Sequence, residues 1–588
     1  MIEASALNIA GSAKAVSCTV VGNSSTRNSK GGFPKTTYVA SGAQIVNCVI
    51  FGNANVDAAC TVWAGTAANY VNCATDSETA INGTCITMSN PAFADESAGN
   101  YAPTYASPFR DVGSNADYVT AAISETDIKG DDRILNDIID AGAYEYVPSA
   151  SMAVDFSYTV NRRLLPASVT FSALAESAPG AVVYRWDFDS DGTVDLETSD
   201  ATITATLTVA KTYDVTLTAV SGASEATKTK EAVVTPIQKD LYVSLEGSNT
   251  FPYSTIATAA TTIHTAVEAA ADGCVVHVLP GTYPQSVPFE IDKAVMLVST
   301  TTNAADVILR NTADGKSIAT VSHEGAELAG VTLTNGKSAK LGAALTLTAG
   351  LVHDCTITGN GIGGCRDSEG RSGTVCMSGG RLMRCQIVAN DGGISWNADC
   401  AGGVNASGGV VDTCLIATNR VSYWGGAYTT ALGVKLKGSA KAVNCTIVHN
   451  VCKNPERMDE KQQGAYPMAT HADSNARFIN CAIWGNVTKP GDTQYYVWHG
   501  TAASYVNCYS ELTINETSPA IVDPGFTDVA EIDYSLTKSS PLINRGTDYA
   551  AAGGISEFDI AGKPRLIGSK VDIGCYESPS RHLVIIVR

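Results

Sequence analysis

The sequence predicts an all-β protein in which two right-handed parallel β-helices, the first truncated at its N-terminus, flank a small β-sandwich. Three observations predict it. A short cysteine-to-asparagine motif recurs along both ends of the chain. The first 147 residues recur near the C-terminus. Between them, residues 150–236 change to longer alternating strands.

The repeat comes first. Cys18, Cys48, Cys355, Cys385, Cys414, Cys445 and Cys481 are each followed five residues later by asparagine: Asn23, Asn53, Asn360, Asn390, Asn419, Asn450 and Asn486. Cys73 and Cys508 share the Val-Asn-Cys start without the asparagine. From Cys355 to Cys481 the motif cysteines are 30, 29, 31 and 36 residues apart, a period that signals stacked repeats. Within the motif Val443, Cys445 and Ile447 alternate with Asn444 and Thr446, which is the period of a strand. Cysteine in that phase acts as a small core hydrophobe. The asparagine suits a left-handed turn, and its amide can bond its stacked copy. Gly379-Gly380, Gly408-Gly409 and Gly438-Ser439 mark a tight corner before the cysteine strand. Coils of this kind stack into a parallel β-helix. Cys60, Cys85, Cys365, Cys376, Cys400 and Cys452 lie off the motif and are the disulfide candidates, with pairing open.

The duplication is explicit. Gly11-Ser-Ala-Lys-Ala-Val-Ser-Cys18 returns as Gly438-Ser-Ala-Lys-Ala-Val-Asn-Cys445, and Trp63…Cys73 as Trp498…Cys508. Asp127…Arg133…Glu145 returns as Asp559…Arg565…Glu577. Residues 1–147 therefore correspond to the last part of a module that runs over 237–578, with a tail at 579–588. The second module has a start: Asp240-Leu-Tyr-Val, then Ile256, Ala260, Ile263, Ala266, Val267 and Ala270 at helical spacing, then Pro280-Gly-Thr-Tyr283. A helix there would cap the solenoid. The first module has no such cap, so a longer polypeptide with an upstream cap and a secretion signal is expected.

The opening and closing motifs resemble those of secreted right-handed β-helix proteins of the pectin-lyase-like fold, including bacterial surface proteins of the choice-of-anchor type. That resemblance implies an extracellular or cell-surface location. Its members include lyases, hydrolases, epimerases and proteins without known chemistry. A lyase of the fold would need a calcium-binding acidic cluster and an Arg or Lys base; a hydrolase would need two or three carboxylates at fixed spacing. In the centre, Tyr184-Arg-Trp-Asp-Phe-Asp and Tyr213-Asp-Val-Thr-Leu-Thr resemble the PKD domain, which implies a spacer or a substrate-presenting module. Asp187, Asp189, Asp191 and Asp195 alternate around Gly192 and suit Ca²⁺, although no glutamate stands at the EF-hand distance. The competing reading is a solvated acidic turn.

The formal net charge of −19 excludes nucleic acid and anionic membranes as partners, since both need a basic face. No run approaches the roughly 20 apolar residues of a membrane span. A monomer is expected. Each asparagine turn opens a loop at one register, so the loops 361–373, 391–403, 420–432 and 451–470 lie side by side. They carry the glycan-binding candidates Arg366, Asp367, Arg371, Asp391, Trp396, Asp399, Arg420, Tyr423, Trp424 and Arg457. Flat rings beside arginines suit an acidic polysaccharide. Three functions follow as expectations: a non-catalytic glycan-binding or adhesive protein, a polysaccharide lyase or hydrolase, or a passive stalk. His264, His277 and His353 fall in element positions and are assigned structural roles.

Overall fold

The computed structural model describes residues 4–25, 35–55, 61–77, 79–120, 124–135, 137–148, 151–338, 342–362, 371–393, 399–422, 431–453, 468–473, 475–487, 497–547, 556–567 and 570–578. The chain divides into two compact units. One comprises residues 1–162, 168–207 and 212–235; the other comprises 163–167, 208–211 and 236–588.

The second unit is a parallel β-helix. Its ladders include a ten-stranded sheet running from Asp240–Val243 to Tyr505–Val506 and two nine-stranded sheets. A fourth, four-stranded sheet joins Gly361–Ile362, Asp391–Gly393, Arg420–Ser422 and Val451–Cys452. Register is strict because identical positions stack: Ile357 on Ile387, Ile416, Ile447 and Ile483. All five are buried in one continuous core.

Each coil turns sharply on either side of its cysteine strand. The residue before the cysteine is left-handed: Asp354, Arg384, Thr413, Asn444, Asn480 and Asn507 all have φ of 50–55°. A second left-handed corner falls at Gly359, Ala389, Thr418, His449 and Gly485. This corrects the assignment of that conformation to the motif asparagine, which sits one residue later and is buried. Burial suits its actual work. Asn360 Nδ2 donates to Asn390 Oδ1, Asn390 to Asn419, Asn419 to Asn450 and Asn450 to Asn486, each at 2.9 Å. The glycine corners are close approaches: a Cβ on Gly379 would stand 2.1 Å from the Thr348 carbonyl oxygen, and one on Gly408 2.3 Å from that of Ser378.

The motif thiols are core residues. Cys385, Cys414, Cys445 and Cys481 are fully buried, and each Sγ donates to the carbonyl two residues back at 3.3–3.4 Å. Cys85, expected as a disulfide candidate, is a free thiol that extends the Cys48–Cys73 stack of the first helix. Cys376, Cys400 and Cys452 are buried, while Cys60 and Cys365 lie outside the described residues.

The capping helix is Ile263–Ala269, with Thr262 Oγ1 accepting the Thr265 N–H and with Ile263, Ala266 and Val267 buried. It starts later than the apolar spacing suggests. Ala260 is tied to the Tyr242 carbonyl as extended chain, and Ile256 is 57% exposed. Among the described residues, no helix is long and apolar enough to cross a membrane.

In the first unit the shorter β-helix repeats this pattern in parallel sheets of two to four strands, with Tyr38, Ile45 and Ile50 in register with later coils. The sandwich follows. Ala153–Arg162, Ala167–Glu176 and Thr202–Leu207 form one sheet; Leu196–Thr198, Val183–Asp187, Tyr213–Ser221 and Ser224–Val234 form the other. Phe156, Phe171 and Trp186 meet between them at centroid distances of 5.1–6.0 Å.

Each helix ends in the same buried knot. Asp559 accepts N–H bonds from Ala561, Lys563 and Glu577, while Arg565 donates to the Gly574 carbonyl and Glu577 accepts from Asp572 N. Asp127, Arg133 and Glu145 repeat it. Burial pushes the Glu145 and Glu577 carboxyls up to about 8. These buried residues fasten the closing segment of each helix over its coils.

Candidate functional site

The asparagine ladder is the base of the loop flank. Directly after it, the four-stranded sheet aligns Gly361, Asp391, Arg420 and Val451 across successive coils. Asp391 and Arg420 are exposed. Lys453 reaches across two coils to pair with the Asp391 carboxylate. The backbones of Arg371 and Asp399 pair in register nearby. Thus four of the ten glycan-binding candidates lie on described backbone. Arg366, Asp367, Trp396, Tyr423, Trp424 and Arg457 lie outside the described residues.

A second constellation was missed by sequence reasoning. It lies on one of the nine-stranded sheets, where Asn405, Lys435, His471 and His499 occupy one register position on consecutive coils. Their flanking residues Val434, Leu436 and Ala472 point into the core, so strand alternation puts this row on the opposite face. The row is nevertheless buried through Lys435 (0% exposed) and His471 (4% exposed). Burial pushes the Lys435 ammonium down to about 8, and burial also lowers His471. His471 Nε2 lies 2.9 Å from Asp473 Oδ1, and its Nδ1 lies 3.0 Å from Nδ1 of His499. A neutral His471 that donates to Asp473 must accept from His499, so the tautomers are fixed in series. The equivalent row of the first helix is Asn8, Tyr38 and Ala64, without a titrating imidazole or amine. Lys435, His471 and His499 are 36 and 28 residues apart, so no regular spacing links them in sequence. The row was invisible without the register, because the intervening loops differ in length.

The histidines read as structural do pair with carboxylates. His277 bonds Asp240 at 2.8 Å, His353 bonds Glu327 at 2.9 Å and Asp354 at 2.6 Å, and His264 lies 3.1 Å from Glu268.

In the sandwich, one oxygen from each of Asp187, Asp189 and Asp195 lies within 4.8 Å of the other two. Asp187 accepts N–H bonds from Asp189, Asp191 and Gly192, and Asp195 accepts from Phe188. Asp191 is not in the cluster; its carboxylate caps the Thr193 N–H at 2.8 Å. The donors are hard oxygens of the kind Ca²⁺ takes; Asp187 is buried, Asp189 half-buried and Asp195 exposed.

Residues 155–234 match the family model of the PKD domain. The sandwich is PKD-like. Among solved structures the chain is similar to pectate lyase Pel9A, at 14% identity and a TM-score of 0.34, over 57% of this chain and 96% of that one. It is similar to the pectin methylesterase from Aspergillus niger at 13% identity and 0.21, over 53% and 93%. It is similar to the Yersinia enterocolitica family 28 exopolygalacturonase at 10% identity and 0.16, over 63% and 99%. No curated protein matches the chain in sequence. The β-helix assignment rests on the ladders themselves, and the PKD-like domain on both its strands and its family match.

Proposed function

We propose that this is an extracellular, monomeric polysaccharide-binding protein that holds an acidic glycan along the loop flank of its second β-helix without cleaving it. The single observation behind this is the exposed Arg420, stacked in register with Asp391 and Val451 on a strip that repeats at the strand spacing of about 4.8 Å. A linear strip fits a chain-like ligand. Asp391 has its own cation in Lys453, which leaves the Arg420 guanidinium available to a uronate carboxylate. Trp396, Tyr423 and Trp424 fall in the same loops by sequence, outside the described residues, and are proposed to stack on sugar rings. In the PKD-like domain, Asp187, Asp189 and Asp195 are proposed to hold Ca²⁺. A glycan array on the full chain, followed by titration of Arg420→Ala and of a Trp396→Ala/Trp424→Ala double variant, tests the reading. At least tenfold weaker binding by either variant is expected. Binding of no acidic polysaccharide leaves the passive stalk.

A second reading, a polysaccharide lyase, is favoured by one observation: Lys435 is held at about 8, where an amine serves as a base near neutral pH, beside the His471–Asp473 pair. Against it, Lys435 has no exposed surface and a substrate proton must come within hydrogen-bond reach of a base. Unsaturated uronate products from wild type, absent in Lys435→Met, would establish the lyase.

A further inference from the structure

Within the first compact unit, a half-open cleft of about 550 Å³ is lined on one side by the closing segment of the β-helix and on the other by the PKD-like domain. Thr87, Ser89 and Asn90 come from the helix side; Tyr158, Thr159 and Lys230 come from the sandwich. Its volume falls in the range of small-molecule sites, about 300–1,000 Å³.

The duplicated module provides a comparison inside the same chain. Asn82 and Asn515 make the same two bonds, to the carbonyls of Ala67 and Tyr70 and of Ala502 and Tyr505. The hairpins that follow, Phe93–Asp95 with Asn100–Pro103 and Phe526–Asp528 with Asp533–Leu536, pair in the same register. This alignment sets Thr87, Ser89 and Asn90 opposite Ala520, Val522 and Asp523. In the second module Val522, the counterpart of Ser89, is 94% exposed. The copy that faces a cleft thus carries two hydroxyls and an amide where the other carries two alkyl groups and a carboxylate.

The opposite wall is complementary. Tyr158 lies two residues beyond Phe156 on the same strand, is 41% exposed and lines the cleft. Lys230 is paired with Asp155 at 3.1 Å and lies over the Phe156 ring, so its charge is already answered. Neutral hydrogen-bonding groups beside the aromatic side chains of Phe156 and Tyr158 and the apolar Met88 and Pro108, with the one lining cation already paired, describe a site for an uncharged, polyhydroxylated ligand.

We propose that this cleft binds a neutral oligosaccharide, as a site separate from the loop flank and independent of the acidic-glycan reading. The test is calorimetric titration of the full chain with cellotetraose, xylotetraose and mannotetraose. At least one should bind. Ser89→Val and Asn90→Asp, which install the second module's own residues, and Tyr158→Ala should each raise Kd at least tenfold. Arg420→Ala should leave it unchanged. Circular dichroism verifies folding, and the Ser89 and Asn90 variants put residues already carried by the sister module at exposed positions. Binding of none of the three sugars overturns the proposal. So does binding that survives all three cleft substitutions, or binding lost in Arg420→Ala.

Discussion

Replacing Lys435 by methionine should change stability in a pH-dependent way, favouring the variant more near neutral pH than in alkali. Lys435 is fully buried, and burial pushes its ammonium down to about 8 from an unfolded value of about 10.4. The folded chain therefore releases this proton before the unfolded chain does. Between about pH 8 and pH 10.4 the unfolded state binds more protons, so stability rises with pH across that window. Below pH 8 both states are charged and the folded state carries the whole penalty, about 3 kcal/mol at 1.36 kcal/mol per pH unit. Above pH 10.4 both are neutral and the penalty is gone. Methionine is of similar length and carries no charge to desolvate. Urea unfolding of wild type and Lys435→Met at pH 7 and pH 10.5 measures this, with the difference between the proteins taken at each pH. Tyrosine and cysteine titrations common to both then cancel. The variant's advantage should be larger at pH 7 by about 3 kcal/mol. An advantage that changes by less than 1 kcal/mol between the two pH values would refute a desolvated lysine in the outer row.

Three further outcomes are expected. Asn419 makes four side-chain hydrogen bonds in the buried ladder, to Ile387 O, to Asn450 Oδ1, and from the Asn390 N–H and Nδ2; Asn419→Ala should cost roughly 3–5 kcal/mol by denaturant unfolding, at about 1 kcal/mol per bond plus the unpaired amides left behind. The thiols of Cys385, Cys414, Cys445 and Cys481 should be silent to a thiol reagent in native protein and react in denaturant without reductant, whereas disulfides among them in peptide mapping would contradict the core assignment. Calcium should raise the melting temperature of the PKD-like domain in the full chain, corresponding to about 2.7 kcal/mol at a hundred times Kd; Asp189→Asn should abolish the shift and Asp191→Asn leave it, and equal melting in calcium and chelator would remove the site.

The fold was legible because the repeat is a packing rule written in residue types. Cysteine, isoleucine and asparagine recur where each coil needs a small core residue, a large one and an amide that bonds its copy. The sequence could not show which backbone positions are left-handed, because Arg384, Thr413 and Ala389 adopt that conformation without the usual glycine or asparagine. Their coil-to-coil hydrogen bonds impose it: Arg384 N on Asp412 O, Thr413 N on Val443 O, Ala389 N on Ala417 O. The functional residues were legible only in part. Asp391 and Arg420 follow the asparagine register, so reading that register places them on one strip. Lys435, His471 and His499 follow a different sheet, separated from it by loops of unequal length, so no fixed spacing announces them.

The two modules together separate structure from function without any other sequence. Positions with the same residue and the same bonds in both copies serve the solenoid: Thr37 with Tyr70 and Thr470 with Tyr505, or the Asp127–Arg133–Glu145 and Asp559–Arg565–Glu577 knots. Positions that share a backbone place but not a chemistry are free of that duty. Lys435, His471 and His499 against Asn8, Tyr38 and Ala64 are one such set. Thr87, Ser89 and Asn90 against Ala520, Val522 and Asp523 are another. A buried amine costs stability that Asn8 and Tyr38 avoid on the same scaffold. The solenoid fold itself does not require an amine at this position, since the first helix carries Asn8 there. The first helix, lacking that row, presents its neutral polar groups at its closing end instead, so the two modules are expected to hold different ligands rather than two copies of one.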